Sequence, residues 1–175
     1  MDSYQFYKAI YDRELSRRKD LDSAINLPLT ILSIIVAANS YIVKALDSIE
    51  NSLQVRIQNY LIILIFIGLG ISIFYLTRSY NNLFKGFAYK NLGLTTEIRK
   101  YEKIDMANYN IKVDEKDKLV FEDIIISKLT SITDDHILFN DKRSLDLYRA
   151  RTFIIVSIML TAINFLIIAF KYIKI

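Results

Sequence analysis

The sequence contains no cysteine and has only one histidine, one proline and four glycines in 175 residues. Without cysteine the chain cannot form a disulfide, a thiolate nucleophile or a cysteine-ligated metal site. One histidine is too few for a histidine-rich metal cluster. The scarcity of proline and glycine argues against a β-rich chain with many turns and favours long helices.

Motifs that carry chemistry are also missing. Asp134, Asp135 and His136 are adjacent, but a metal or acid–base site needs further partners at workable spacing, so we favour a helix cap or a solvated face. The acidic residues of segment 105–117 do not follow the EF-hand spacing. There is no phosphate-binding glycine loop and no zinc-protease signature. The sequence therefore predicts a protein that is not an enzyme, with no catalytic residues, no metal and no cofactor.

Hydrophobic residues, by contrast, make up 53% of the chain, and the mean hydropathy is +0.25. These values are high for a soluble domain and fit a chain that lies partly in lipid. Segments 25–43 and 152–170 contain no charged residue, and segment 60–76 is a third apolar run. Because about 20 apolar residues of helix cross the hydrocarbon core of a bilayer, we predict an all-α fold with three transmembrane helices.

The parts outside the spans differ in their content of lysine and arginine. Residues 1–24 form an amphipathic segment with five, and the short connection 44–59 has two. The sizeable region 77–151 has fourteen, and the tail 171–175 has two. Since cytoplasmic segments are enriched in these residues, we expect the first segment and the large region to be cytoplasmic and the other two to be extracytoplasmic. This alternation independently supports the number of three spans.

The large region is itself expected to be helical. Apolar periodicity predicts a helix over 78–104 that continues the second span out of the bilayer, followed by a loop at 105–117. A further helix is predicted over 118–133. A last helix is expected to begin near Asp134 or Asp135 and to run into the third span.

Small and polar residues in the first span recur at steps of four and three, which places them on one face of a helix. The third span repeats this step. A lipid anchor needs no such face, whereas a helix that packs against another helix or lines an ion path does. Both interpretations stay open. The candidate residues are Asn26, Thr30, Ser33, Ala37 and Ser40 in the first span, and Ser157, Thr161 and Asn164 in the third.

Two basic clusters lie beside the spans. Arg17, Arg18 and Lys19 precede the first span, and Lys142 and Arg143 precede the third. One interpretation is an anchor at anionic lipid on the cytoplasmic side. The other is a phosphate site for a nucleotide or oligonucleotide that gates the protein.

The order of these parts resembles a known family. The basic helix YDRELSRRKDLD leads into a helical hairpin and a cytoplasmic helical region, and ILFNDKRSLDLYRARTF precedes the third span. This arrangement resembles the SLATT-like membrane effectors of bacterial anti-phage defence, from whose two-span form the third span departs, and it is similar to the membrane effector of the Hailong system. The resemblance implies an oligomeric channel that depolarises the inner membrane during infection. It also implies control by a nucleotide or oligonucleotide made by a neighbouring nucleotidyltransferase.

Our leading hypothesis is a homo-oligomeric ion channel, a tetramer or a similar ring, because three helices cannot enclose a wide aqueous path. The cytoplasmic helices would hold it closed until a signal arrives. The spans carry no charged residue, which disfavours a proton relay or an ion-coupled carrier. The alternative is a non-conducting membrane scaffold or accessory subunit that recruits a cytosolic partner through residues 77–151.

Overall fold

The computed structural model describes residues 2–46 and 53–172, without the side chains of Ala45, Lys171 and Tyr172. Part of the predicted connection 44–59 and the end of the tail therefore lie outside the described residues. All regular structure within them is helical, so the all-α prediction is confirmed for this part of the chain. The helices are α1 (Ser3–Ser23), α2 (Asn26–Leu46), α3 (Leu53–Asn81), α4 (Thr95–Lys100), α5 (Met106–Asn110) and α6 (Phe121–Tyr172), with a π-helical turn at Tyr101–Asp105 and a 3₁₀ turn at Glu115–Asp117.

Three helical stretches are long and apolar enough to cross a membrane. They are Ser3–Lys44, Leu53–Asn81 and Glu115–Phe170, whose most apolar windows have mean hydropathies of 1.8, 2.4 and 2.7. Windows of this length and hydropathy favour the hydrocarbon core of a bilayer over water. The predicted number of membrane-crossing helices is confirmed by this measure.

The predicted helix over 78–104 is wrong, because α3 ends at Asn81. Residues 82–84 have positive φ angles of 51°, 55° and 71°, which an α-helix cannot accommodate. The Asn81 side chain accepts a hydrogen bond from the Phe84 N–H at 3.0 Å, and its carbonyl accepts one from the Gly86 N–H at 2.8 Å. The asparagine and glycine thus satisfy the end of the helix and turn the chain away.

Two further boundaries differ from the predictions. No helix begins at Asp134, because α6 runs unbroken from residue 121 to residue 172 and contains neither proline nor glycine. The side chain of Asp134 is exposed, and that of Asp135 forms an ion pair with Lys90 at 2.7 Å. The predicted loop 105–117 contains the short helix α5. These acidic residues, although suited to a helix start, therefore lie within a longer helix.

The chain is divided into two compact units. The first unit consists of residues 1–20 and 87–141, and the second unit of residues 21–86 and 142–175. The second unit contains all three predicted spans, and it therefore holds the membrane part of the candidate site.

A seven-residue repeat holds the second unit together. On each of its three long helices the buried residues recur at alternating steps of three and four, the 3.5-residue period of left-handed coiled coils. Most of them are apolar, but each helix also buries polar side chains. The buried residues of this repeat are Pro28, Leu32, Ile35, Asn39, Ile42 and Leu46 on α2 with Ile25 just before it, Gln58, Ile62, Ile65, Leu69, Ser72, Leu76 and Ser79 on α3, and Arg143, Leu147, Ala150, Ile154, Ser157, Asn164 and Ile168 on α6. On α6 half-buried Thr161 lies between Ser157 and Asn164 in the repeat, and Asp146 is buried beside it.

Hydrogen bonds fix an antiparallel register between α3 and α6. Ser79 Oγ donates to the carbonyl of Arg143 at 2.9 Å, and Ser72 Oγ donates to the carbonyl of Ala150 at 3.0 Å. Moving back seven residues on α3, from Ser79 to Ser72, therefore corresponds to moving forward seven residues on α6, from Arg143 to Ala150. Continued along the bundle, the same step brings the next pairs to common levels. These pairs are Ile65 with Ser157 and Gln58 with Asn164.

Candidate functional site

The predicted polar stripe on α2 lies on the outside of the bundle. All five of its residues are exposed. The buried positions of α2 recur with the same period but are shifted by one or two residues from the stripe, so they form a different face of the helix. The hydroxyls of the stripe donate to carbonyls one turn earlier, where each oxygen keeps a lone pair free. The stripe is thus available to lipid, water or another chain. These bonds join Thr30 to Asn26 at 3.1 Å, Ser33 to Leu29 at 3.1 Å and Ser40 to Val36 at 2.9 Å.

Large apolar residues flank this stripe. Leu27, Ile34 and Tyr41 are 67%, 62% and 70% exposed, values suited to contact with lipid. Their neighbours Ile35 and Ile42 are instead buried. The outer surface of α2 therefore carries a polar track between apolar neighbours.

The predicted polar stripe on α6 lies inside the bundle. Ser157 and Asn164 are fully buried, and Thr161 is half-buried. Thr161 Oγ1 accepts a hydrogen bond from Asn39 Nδ2 at 2.9 Å and donates to the carbonyl of Ser157 at 2.8 Å. A Cβ atom on Gly68 of α3 would lie 2.7 Å from Ser157 Oγ, so the absence of a side chain there permits close packing. This stripe joins helices of one protomer.

Two buried carboxamides of the second unit were missed by sequence reasoning. Asn39 and Gln58 have no exposed surface, like Asn164. Both lie on the 3.5-residue repeat of their helices, and this repeat was the signal that could have identified them. Several of their polar atoms lack a hydrogen-bond partner within the described part of the chain. These atoms are Asn39 Oδ1 and both polar side-chain atoms of Gln58 and of Asn164.

The basic residues before the first span contact other residues of the first unit. Arg17 donates to Asp141 at 2.6 Å and to Glu14 at 3.5 Å. The guanidinium of Arg18 lies 4.2 Å from the ring centre of Tyr89, a cation–π contact. Lys19 is exposed. Much of the positive charge predicted for a ligand is thus already engaged within the chain.

The basic residues before the third span differ sharply from each other. Arg143 is 1% exposed, donates to the carbonyl of Ser79 at 2.8 Å and forms an ion pair with Asp22. Lys142 is exposed, and its Nζ lies 3.5 Å from Asn82 Oδ1. Arg143 is therefore buried on the inner face of α6, whereas the side chain of Lys142 is exposed to solvent.

A second buried ion pair lies near Arg143 on the same helix face. Asp146 is 1% exposed and accepts two hydrogen bonds from Arg78, at 2.7 Å to Nε and 2.5 Å to Nη2. Such bidentate pairs combine charge with fixed geometry. Together with the Arg143–Asp22 pair, it forms a charged layer beside the apolar core of the second unit.

The polar cluster of the first unit is a packing network. Asn140 Nδ2 donates to the buried carboxylate of Glu14 at 3.1 Å, and Tyr89 donates to Asn140 Oδ1 at 2.8 Å. Buried His136 forms a hydrogen bond of 2.9 Å between Nε2 and the carbonyl of Lys90. No group of three histidine, aspartate or glutamate side chains is placed to bind a metal in the described residues. The network fixes the extended segment after α3 against helical residues of its own unit.

The first unit also contains an open cavity of about 390 Å³. Its wall is apolar at Leu92, Ile98 and Phe121 and carries both signs of charge, including Lys128 and Glu97. Leu94 and Val120, which are next in sequence to the wall residues Gly93 and Phe121, are exposed. This surface combines apolar side chains with charges of both signs.

Comparison of the chain with protein-family models, curated proteins and solved structures gives no match. The function is therefore inferred from the placement of the polar faces and the ion pairs.

Proposed function

We propose that this protein assembles with copies of itself in a membrane and conducts ions along a path lined by the outward stripe of α2. The observation that carries the proposal is that this stripe is exposed on a helix whose other outer residues suit lipid. Polar side chains in a span usually face a neighbouring helix or water rather than acyl chains. A ring of copies would give the stripe both kinds of neighbour.

The interior of one protomer supports this placement of the path. The centre of the bundle is filled by apolar side chains, and Ile65, Leu69 and Ile35 are 0%, 3% and 4% exposed. Close-packed interiors of this kind leave little room for a chain of water molecules. A conducting path is therefore proposed between protomers rather than through one.

The stripe is also long enough for the role. From Asn26 to Ser40 an α-helix rises about 21 Å, which is roughly two thirds of the 30 Å hydrocarbon core. The three hydroxyls that donate to their own helix can still accept hydrogen bonds from water. Neutral oxygens of this kind would support ion passage without binding an ion tightly.

We extend the proposal to the biological role expected from the family resemblance, that of an effector that depolarises a bacterial inner membrane. The cytoplasmic position of the N-terminus is supported by the distribution of lysine and arginine. Arg17 and Arg143 use their charges within the chain, while Lys19 and Lys142 are exposed. We therefore base the proposal on the ion path and not on a nucleotide site at these residues.

The test is ion flux through liposomes that contain the purified protein. We expect flux in the wild-type protein, a strong decrease in Ser33→Leu, and no change in the matched control Ile34→Leu. Ser33 lies in the stripe, whereas Ile34 is exposed beside it. Absence of wild-type flux both without and with added nucleotide, or equal flux in the two variants at equal incorporation, would contradict the proposal.

The alternative, a membrane scaffold that recruits a partner, is favoured by a different observation. In the first unit Leu94 and Val120 are 65% and 56% exposed, and they are next in sequence to Gly93 and Phe121 of the cavity wall. Apolar side chains exposed together often mark a docking surface. This alternative predicts a stable complex with one cytosolic protein, disrupted by Val120→Asp, and no ion flux in liposomes.

A further inference from the structure

Three carboxamide side chains lie inside the second unit with hydrogen-bonding groups that their neighbours do not satisfy. Asn39, Gln58 and Asn164 have no exposed surface. Within the described residues, Asn39 Oδ1 has no partner, and neither polar atom of Gln58 or Asn164 has one. Such burial is strongly destabilising, most of all in a membrane, where unpaired polar groups have no alternative partner.

These side chains come from three helices and lie close in level. The register of the Ser72 and Ser79 hydrogen bonds places Gln58 of α3 opposite Asn164 of α6. Asn39 of α2 bonds to Thr161, about one helical turn before Asn164. Apolar residues lie near this level, and they form a buried cluster of Ile42, Leu46, Ile62 and Ile168. The unpaired groups are thus gathered in one otherwise apolar part of the bundle.

The chemistry of the unpaired atoms selects the ligand. They comprise three carbonyl oxygens, which accept hydrogen bonds, and two NH₂ groups, which donate them. A cation would satisfy only the oxygens, and an anion would satisfy only the NH₂ groups. Water donates and accepts, and buried water typically makes two to four hydrogen bonds to groups of this kind.

We propose that the carboxamide level of Asn39, Gln58 and Asn164 binds water molecules inside each protomer. The site lies within one copy of the chain and does not depend on conduction between copies. Water at this level links α2, α3 and α6 through polar contacts in place of side-chain packing.

The experiment is water-edited solid-state NMR of the full chain in lipid bilayers, with ¹⁵N-labelled asparagine and glutamine side chains. It measures how fast magnetisation passes from water to each NH₂ group. We expect transfer to Gln58 and Asn164 to be severalfold faster than transfer to Asn140. Asn140 is the matched control, because it is equally buried but its carboxamide is bonded to Glu14 and Tyr89.

The signals are assigned by their loss in Gln58→Leu and Asn164→Leu, with Gln58→Met as a second choice if the leucine variant does not fold. In Gln58→Leu we expect the transfer to Asn164 to slow, because the bound water loses partners. Transfer to Gln58 and Asn164 as slow as that to Asn140 would overturn the proposal. It would show that water does not contact these two carboxamides.

Discussion

The two polar stripes of the membrane helices have the same spacing but face opposite directions. Ser33 and its neighbours on α2 are exposed, whereas Ser157 and Asn164 on α6 are buried against the other helices of the same chain. On α2 the buried heptad positions are mostly isoleucine and leucine, so the polar residues are left outside. On α6 the polar residues themselves occupy the heptad positions. Spacing therefore identifies a helix face, but the partner of that face depends on which positions carry the repeat.

The largest expected loss of stability comes from removing a charged side chain on the inward face of α6. We expect Arg143→Ala to lower the free energy of unfolding by about 3 kcal/mol, because it empties a buried site and leaves the Ser79 carbonyl without its donor. The adjacent variant Lys142→Ala should be nearly neutral, since Lys142 is exposed. Thermal unfolding in detergent, followed by circular dichroism, measures both. Equal losses in the two variants would contradict the inward placement of Arg143.

The next test exchanges serines on the two stripes. We expect Ser157→Leu to cost about 2 kcal/mol of stability, because the larger side chain has no room beside Gly68. Ser33→Leu should leave stability within about 0.5 kcal/mol of the wild-type value, because an exposed position accommodates the side chain. The same unfolding measurement separates them. A destabilising Ser33→Leu in a monomeric preparation would show that the α2 stripe packs inside the protomer.

A smaller effect on stability tests the close packing between α3 and α6. Gly70→Ala should stabilise α3 by up to about 1 kcal/mol through helix propensity, since nothing lies within 4 Å of its added Cβ. In Gly68→Ala the contact with Ser157 Oγ at 2.7 Å should offset this gain. A double-mutant cycle with Ser157→Ala measures the coupling. Additive effects would mean that Gly68 and Ser157 do not touch.

The smallest effect lies outside both stripes. Hydrogen bonds from Lys103 and then Arg99 to the carboxylate lower the pKa of Glu102 below its usual value. Because the folded-state pKa is the lower one, this stabilisation is present above the unfolded pKa and is lost as the pH falls through the folded pKa. NMR titration should give a pKa below the ordinary glutamate range, and Lys103→Ala should raise it. A pKa of Glu102 at the ordinary glutamate value would exclude these contacts.

The three spans could be predicted from the sequence because length and hydropathy alone determine whether a helix suits a bilayer. The direction of the α2 stripe could not, since Ser33 and Ser157 have the same type of spacing. Asn39 and Gln58 were also missed, although the 3.5-residue repeat of isoleucine and leucine around them was visible. A search for heptads, rather than for polar residues alone, would have located both.

The end of α3 was missed for a local reason. Aromatic and apolar residues after residue 78 suggested a continuing helix, but Asn81 offers a side-chain oxygen to the turn, and Gly86 accepts a positive φ of 70°. The failure at Asp134 had the opposite cause. An acidic residue suited to a helix cap lies in the middle of a helix whose apolar repeat continues on both sides.

The most direct test of the central claim uses the natural absence of cysteine. Ser33→Cys and Ile34→Cys each place one thiol on the outer surface of α2, and a charged, water-soluble methanethiosulfonate reagent is applied during conductance recordings in planar bilayers. We predict rapid block of the Ser33→Cys conductance and no block of Ile34→Cys, because only the stripe would contact water. Block of Ile34→Cys alone, or equal block of both, would contradict an ion path along the α2 stripe.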